Sequence, residues 1–425
     1  MKKFFSTAAY FIALLAVIVL LQGCIKDTCQ NTYKIYTPVY KSLSQVRAEM
    51  KSTMPKPIKS PGKIYLFGNY IFMNETDKGI HVIDNSNPSS PSRIGYINIP
   101  GNLDLAVKGS YLYADSYSDL VVFDISNPVN VTPVKFMNNV FKESDRFWGN
   151  ETNPDNVTII VDYIERDTTV DCETYASWSN CRGCMLMDRS GGVFTANIGS
   201  AASAGGQSGK GGSMARFTLA SNFLYGVSWM SLYAINLANP ADPVLTNKKN
   251  MGWGIETIYP FNDKLFIGST TGMFIYNISD PSNPVSMGQF THVQSCDPVI
   301  TDGQYAYVTL RSGTACNGFT NQMEIVDVTN LNNPSLVKTY PLTNPHGLDK
   351  DGTTLFICDG TDGLRVMNAA DVQNITPIKQ ITGLETYDVI TWNGKAIVVA
   401  KDGLYQYDYS NLNNIHQVSK ISISK

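Results

Sequence analysis

Seven polar side chains recur at matching places in the chain, each four to six residues ahead of a tight-turn signal. They are Lys63 before "GNY", Asp104 before "KGS", Arg216 before "SNF", Glu256 before "NDK", Asp297 before "DGQ", His346 before "DGT" and Asp388 before "NGK". The alignment leaves one position of latitude at Asp104 and Glu256. Four carboxylates, two cations and one histidine, if gathered, have two chemical uses. Carboxylates held close raise one another's pKa, which is how general acids are made. Mixed charges can instead line a channel and neutralise one another. No nucleophile or metal-ligand set accompanies the seven. The chain also lacks GxSxG, HExxH, P-loop and dinucleotide signatures, so no cofactor is implied.

The eight cysteines are the other reactive set. Cys296 opens one strand-like run and Cys316 follows the next, a placement that suits a Cys296–Cys316 disulfide in an exported protein. Cys172, Cys181 and Cys184 cluster, and two of them can pair. "CRGC" has the spacing of a zinc or redox site, but neither a second CxxC nor a nearby histidine completes it, and no metal is expected. Cys29 and Cys358 have no assigned partner; Cys358 reads as a packing residue.

What must position these groups is a repeat. "DLVVFDISNP" (119–128) has counterparts ending near Pro88, Pro240, Pro281, Leu331, Val372 and Leu412. Each apolar run is closed by Asp84, Asp124, Asn236, Asn277, Asp327, Asn368 or Asp408, at intervals of 40, 112, 41, 50, 41 and 40 residues. A run apolar on both faces predicts a strand covered on both sides. The Asp or Asn accepts from backbone two residues on and turns the chain, and a following Pro cannot continue a ladder. Two strand-like runs precede the motif and one follows it. Four short strands in about forty residues, repeated seven times without helix signals, predict an all-β, seven-bladed propeller with four antiparallel strands per blade. In such a closed ring the seven polar residues would surround the mouth of a central funnel, making them candidates for a ligand site.

The strand-plus-Asp pattern in "HVID", "VVFD" and "EIVD" resembles the LVIVD-repeat proteins, from about Gly62 to the C-terminus. The resemblance implies the propeller fold and little about activity. LVIVD-repeat lipoproteins of this kind are found in Bacteroidota.

The first residues carry an address. "MKK", the apolar "FFSTAAYFIALLAVIVL" and "LQGC" resemble a lipoprotein signal with its lipobox, so residues 1–23 are expected to be removed and Cys24 diacylated. The alternative is a transmembrane anchor, for which the apolar run is barely long enough. Acyl chains on Cys24 would tether the protein to the outer membrane, and the "IKDTC" that follows is similar to a surface-export signal. Residues 24–61 read as a tether, in which "LSQVRAEM" can form a helical turn or two and "YKIYTPVY" can pair with a blade edge. Formal charge is −3. Loss of Lys2 and Lys3 with the signal takes it to −5, which gives no basic footprint for nucleic acid.

The long interval marks an insertion, residues 141–213, between blades two and three. It holds a strand-like stretch, "NVTIIVDYIERDTTV", the cysteine cluster and the Gly/Ser-rich "GSAASAGGQSGKGGS", which reads as flexible by composition. Because it joins one blade's outer strand to the next blade's inner strand, it is expected on or beside the funnel.

Two functions follow. One is a non-catalytic platform that docks to another outer-membrane protein or binds an extracellular ligand. The other is an enzyme at the funnel mouth, a hydrolase or lyase on glycans or phosphoesters, using His346 and the ring carboxylates. Mixed charge around the ring, rather than a clustered pair, favours the platform.

Overall fold

The computed structural model describes residues 30–141, 147–148, 156–171, 209–293, 295, 298–313 and 320–423. Among them, seven sheets each contain four sequence-consecutive antiparallel strands, A to D from the inside outward. They are blade 1 (61–98), blade 2 (105–137), blade 3 (217–250), blade 4 (255–291), blade 5 (299–341), blade 6 (348–381) and blade 7 (386–422). Among the described residues the named elements are all strands apart from one helix, Leu43–Ala48, and a short 3₁₀ turn at Leu412–Asn414.

Strand chemistry explains this order. Beyond the first residue, strand B is buried throughout in all seven blades; Tyr111–Ser116 and Lys395–Ala400 are examples. Strand D alternates, as in Val244–Asn250, because it is the rim and has solvent on one side. Each blade therefore buries both faces against its neighbours. Apolar clusters run from blade to blade, and the one joining blade 7 to blade 1 contains Ile64, Leu66, Ile83, Ile390, Val399 and Leu404.

The closing Asp or Asn makes its turn in every blade. The Oδ1 atoms of Asp84, Asp124, Asn236, Asn277, Asp327, Asn368 and Asp408 each accept from the amide two residues on, at 2.7–3.0 Å. Three residues later a second side chain does the same: Asn87, Asn127, Asn239, Asp280, Asn330, Asp371 and Asn411. Two consecutive side-chain turns fix the C–D connection without glycine. The proline contributes its carbonyl. Tyr113 of blade 2 donates to Pro240 O of blade 3 at 2.9 Å, and Tyr225 of blade 3 donates to Pro281 O of blade 4 at 2.8 Å.

One regular feature was not legible in the sequence. Strand D is bulged against strand C at the same register in every blade, between Pro133 and Lys135 in blade 2 for example. A bulge there bends the rim strand and adds twist.

Outside the blades, the tether departs from the expectation. Gln30–Ser42 lies beside the insertion strand Thr158–Asp171 instead of a blade edge. Residues 30–39 and 162–171 belong to a separate compact unit. Thr32 bonds Thr169 there and Lys34 pairs with Glu165. A capping box from Ser42 and Gln45 starts the helix, and Lys51–Thr53 adds an outer strand to blade 1.

Hydrogen bonds from Ser86, Ser126, Thr329 and Ser410 hold the carboxyls of Asp84, Asp124, Asp327 and Asp408 below the usual range, with Lys395 contributing at Asp408. A depressed folded pKa gives stability that is present above the unfolded value and lost as pH falls through the folded one. Replacing all four by Asn, which already fills the same turn in blades 3, 4 and 6, should retain the fold at neutral pH. It should also flatten the pH dependence of Tm below about pH 4. Asp327→Ala, which removes the acceptor, should cost about 1 kcal/mol in urea unfolding.

Candidate functional site

Inner strands place the polar residues at two levels. Counting back from each A–B hairpin, Lys63, Asp104, Arg216 and Asp388 share one level. Glu256 and His346 sit one residue nearer the mouth. The sequence alignment had allowed for such an offset at Asp104 and Glu256; it occurs at Glu256 and His346. Asp297 and the Cys296–Cys316 pairing lie outside the described residues, as do Cys24, Cys29 and the Cys172, Cys181 and Cys184 cluster.

Asp104 is the hub of the lower level. Its Oδ2 accepts from Lys63 Nζ at 2.7 Å and from the Arg216 and Phe217 amides at 2.5 and 3.1 Å, so one carboxylate links blades 1, 2 and 3. Lys63 is 2% exposed, and burial lowers its pKa against the pull of Asp104. Beneath Asp104, Asp115 accepts from Asn102 Nδ2 and the Leu103 and Asp104 amides. Burial pushes its pKa up to about 6 against Arg216 and those amides.

The funnel is filled on the blade 1 side. Lys210–Gly211, at the end of the insertion, pairs antiparallel with strand A of blade 1, Lys210 opposite Leu66 and Gly211 opposite Tyr65. The Gly/Ser run that composition marks as flexible thus ends in an ordered strand, because bare backbone is what fits there. A Cβ on Gly209 would overlap the Tyr65 ring and Leu66 O, and one on Gly212 would overlap the Asp388 carboxyl. Lys210 Nζ reaches Asp349 Oδ2 at 2.5 Å and Thr391 Oγ1 at 3.1 Å, while Ser213 Oγ accepts from the Leu348 amide at 2.7 Å. Residues 209–213 therefore act as a plug bonded to blades 1, 6 and 7.

Asp388 lies under the plug, fully buried, with neither carboxyl oxygen in a side-chain hydrogen bond. Burial raises its pKa well above the usual range and Asp349 adds to the shift, against Lys63 and Lys210.

Nearer the mouth, Arg311 follows strand B of blade 5. Burial lowers its pKa against the attraction of Glu256 and Tyr387. His346 is 5% exposed, and burial, with Arg311 adding, lowers it to about 3. It is neutral at physiological pH and, at 5.4 Å between ring centroids, packs edge-on against Tyr387. Among the described residues its place is that of a packed imidazole near a guanidinium. Among the described residues no group of three or more His, Cys, Asp or Glu is arranged to hold a metal ion. Cys358 is a buried thiol with its pKa raised by burial, in keeping with packing.

Sequence reasoning missed Lys210, Asp349, Arg311 and Asp115. Asp349 carried a signal, as a charge within an inner strand ("LDKD") where the other blades are mainly apolar. Lys210 was masked by its glycines.

The LVIVD repeat family model matches residues 61–98, 102–137, 265–292 and 296–341. These are blades 1 and 2, strands B to D of blade 4, and blade 5. The chain carries LVIVD repeats on a seven-bladed β-propeller. Blades 3, 6 and 7 carry the same closing turn at Asn236, Asn368 and Asp408. No curated protein matches the sequence. Among solved structures, the LVIVD-repeat propeller is similar to a Lactobacillus plantarum protein, with TM-score 0.51, 12% identity, and 85% of this chain and 97% of that one covered. It is also similar to the periplasmic gluconolactonase PpgL of Pseudomonas aeruginosa, with TM-score 0.51, 11% identity and 85% and 96% covered. The computationally designed Ika8 protein gives TM-score 0.50, 8% identity and 88% and 90% covered. At these identities the likeness is one of fold.

Asp388→Asn tests the raised pKa of this carboxyl. A folded pKa above the unfolded one means the native state binds the extra proton, so stability falls as pH rises from about 4 towards the folded pKa. The amide removes that loss. Its Tm should match wild type near pH 4 and exceed it at pH 8. Gly212→Leu should unseat the plug, seen as faster amide exchange at residues 209–213 and a lower Tm.

Proposed function

We propose that this is a lipid-anchored outer-membrane protein, diacylated at Cys24 and facing the cell surface, whose propeller docks to another outer-membrane protein instead of turning over a substrate. The observation that carries the reading is how the polar ring is used. Lys63, Asp104 and Arg216 are bonded to one another or to neighbouring backbone, burial pushes the Asp388 carboxyl up, and His346 is neutral at physiological pH. The plug occupies the inner side of blade 1. These bonds occupy ring groups that acid–base turnover would need free, which favours a platform, and the mouth offers its surface.

That surface has an apolar sector. Trp229, in the B–C connection of blade 3, is 47% exposed; Trp253, between blades 3 and 4, is 73% exposed; Val293, between blades 4 and 5, is 55% exposed. All three connections lie at the end where the inner strands begin. Ile255 N donates to Trp229 O at 3.1 Å, which ties the first two together. Exposed tryptophans on a rigid scaffold are typical anchors of protein contacts.

The test is a pull-down of C-terminally tagged protein from native membranes in mild detergent, compared with the Trp229→Ala/Trp253→Ala variant. A stoichiometric outer-membrane protein that the double variant loses is the expected result; recovery of the propeller alone would overturn the docking reading. Cys24→Ala should shift the protein from the membrane to the soluble fraction.

A further inference from the structure

Lys63, in strand A of blade 1, is among the largest fully buried side chains of the protein. An ammonium has three N–H donors to satisfy. Among the described residues Nζ makes one hydrogen bond, to Asp104 Oδ2 at 2.7 Å. Lysine and carboxylate are both shut off from water, at 2% and 3% exposure. Burying two ions is costly, and a single contact offsets that cost poorly. Burial, with the Arg216 cation adding, lowers the lysine's pKa against the pull of Asp104, which shifts the nitrogen towards the nucleophilic amine.

The carboxyl group is held as an acyl-transfer centre would be. Its Oδ2 accepts from the Arg216 and Phe217 amides at 2.5 and 3.1 Å, and its Oδ1 from the Leu105 amide at 2.6 Å. Two backbone N–H groups on one oxygen are what stabilise the oxyanion of a tetrahedral intermediate. Two further carboxyls, Asp115 and Asp388, act on Lys63 electrostatically. Burial raises the pKa of both, that of Asp115 to about 6, so each can carry a proton that acyl transfer has to move. Asp115 also accepts from the Asp104 amide at 2.8 Å, which fixes the backbone that presents the carboxyl.

We propose that Lys63 and Asp104 condense into an isopeptide bond that joins blade 1 covalently to blade 2. Nζ passes one proton to Asp104 Oδ1 and attacks Cγ with the freed lone pair, and the negative charge collects on Oδ2 under the Arg216 and Phe217 amides. The nitrogen then gives a second proton to Oδ1, the Cγ–Oδ1 bond breaks, and water leaves. One ammonium and one carboxylate become one amide and one water, with no oxidant or cofactor. Two buried charges are removed, and the product nitrogen keeps a single N–H. The bond is independent of the docking face at the mouth and of the lipid anchor.

Tryptic digestion of the full-length chain followed by mass spectrometry reads the bond directly. The expected product joins residues 60–78, uncut at Lys63, to residues 94–108, at a mass one water below the sum of the two peptides. It should account for most molecules. Lys63→Arg keeps the charge but cannot form the bond, so the linked product should vanish and Tm should fall. The wild-type digest decides the matter even if Lys63→Arg fails to fold. Separate peptides in the wild type, a linked product that survives in Lys63→Arg, or a water loss that maps to another pair such as Lys210 and Asp349 would each overturn the proposal.

Discussion

A ring of blades has a seam, and closing it is the constraint on which this structure depends. Each blade here is one contiguous stretch of chain, so the last meets the first by side chains and not by a shared strand. Two devices hold blade 7 to blade 1. On the periphery, Asn85 and Gln406 exchange amide hydrogen bonds at 2.6 and 3.2 Å over an apolar cluster. On the inside, the plug pairs with blade 1 and bonds to blades 6 and 7 through Lys210 and Ser213. A buried ammonium costs desolvation that only close, well-placed acceptors offset, and Lys210 has Asp349 and two oxygens of Thr391. A segment inserted after blade 2 thus completes a contact between blades 6, 7 and 1.

The same logic runs round the inner strands. Asp104 joins blades 1 to 3, Ala215 O accepts from Ile258 N between blades 3 and 4, Thr309 reaches His346 O between blades 5 and 6, and Gly347 N reaches Tyr387 O between blades 6 and 7. Polar residues at the starts of inner strands look like a ligand ring when only their positions are known. In three dimensions several of them fasten neighbouring blades, where apolar packing alone would leave inner backbone groups unpaired.

The repeat was legible because its signals are local. An apolar run, an Asp or Asn and a small polar residue two positions later specify a strand and its turn within ten residues, and all seven turns formed. The ring was legible only in part. Position in a strand predicts which side chains approach the axis, but a one-residue offset at Glu256 and His346 moves them to another level. The roles of Lys210 and Asp349 rest on a contact between residues 139 apart, which no local pattern encodes. The bulges in strand D follow from matching a twisted rim to strand C and leave no residue signature.

The plug also sets an order of events. Its partners in blade 1 are made before it and those in blades 6 and 7 long after, at sequence separations of 139 and 181 residues. Its berth is therefore incomplete until the C-terminal blades have formed. Contacts this distant along the chain are the slow ones, so filling the axis and sealing the ring become a single late step. Until then, the last blades to emerge and the middle of the chain have to wait for each other.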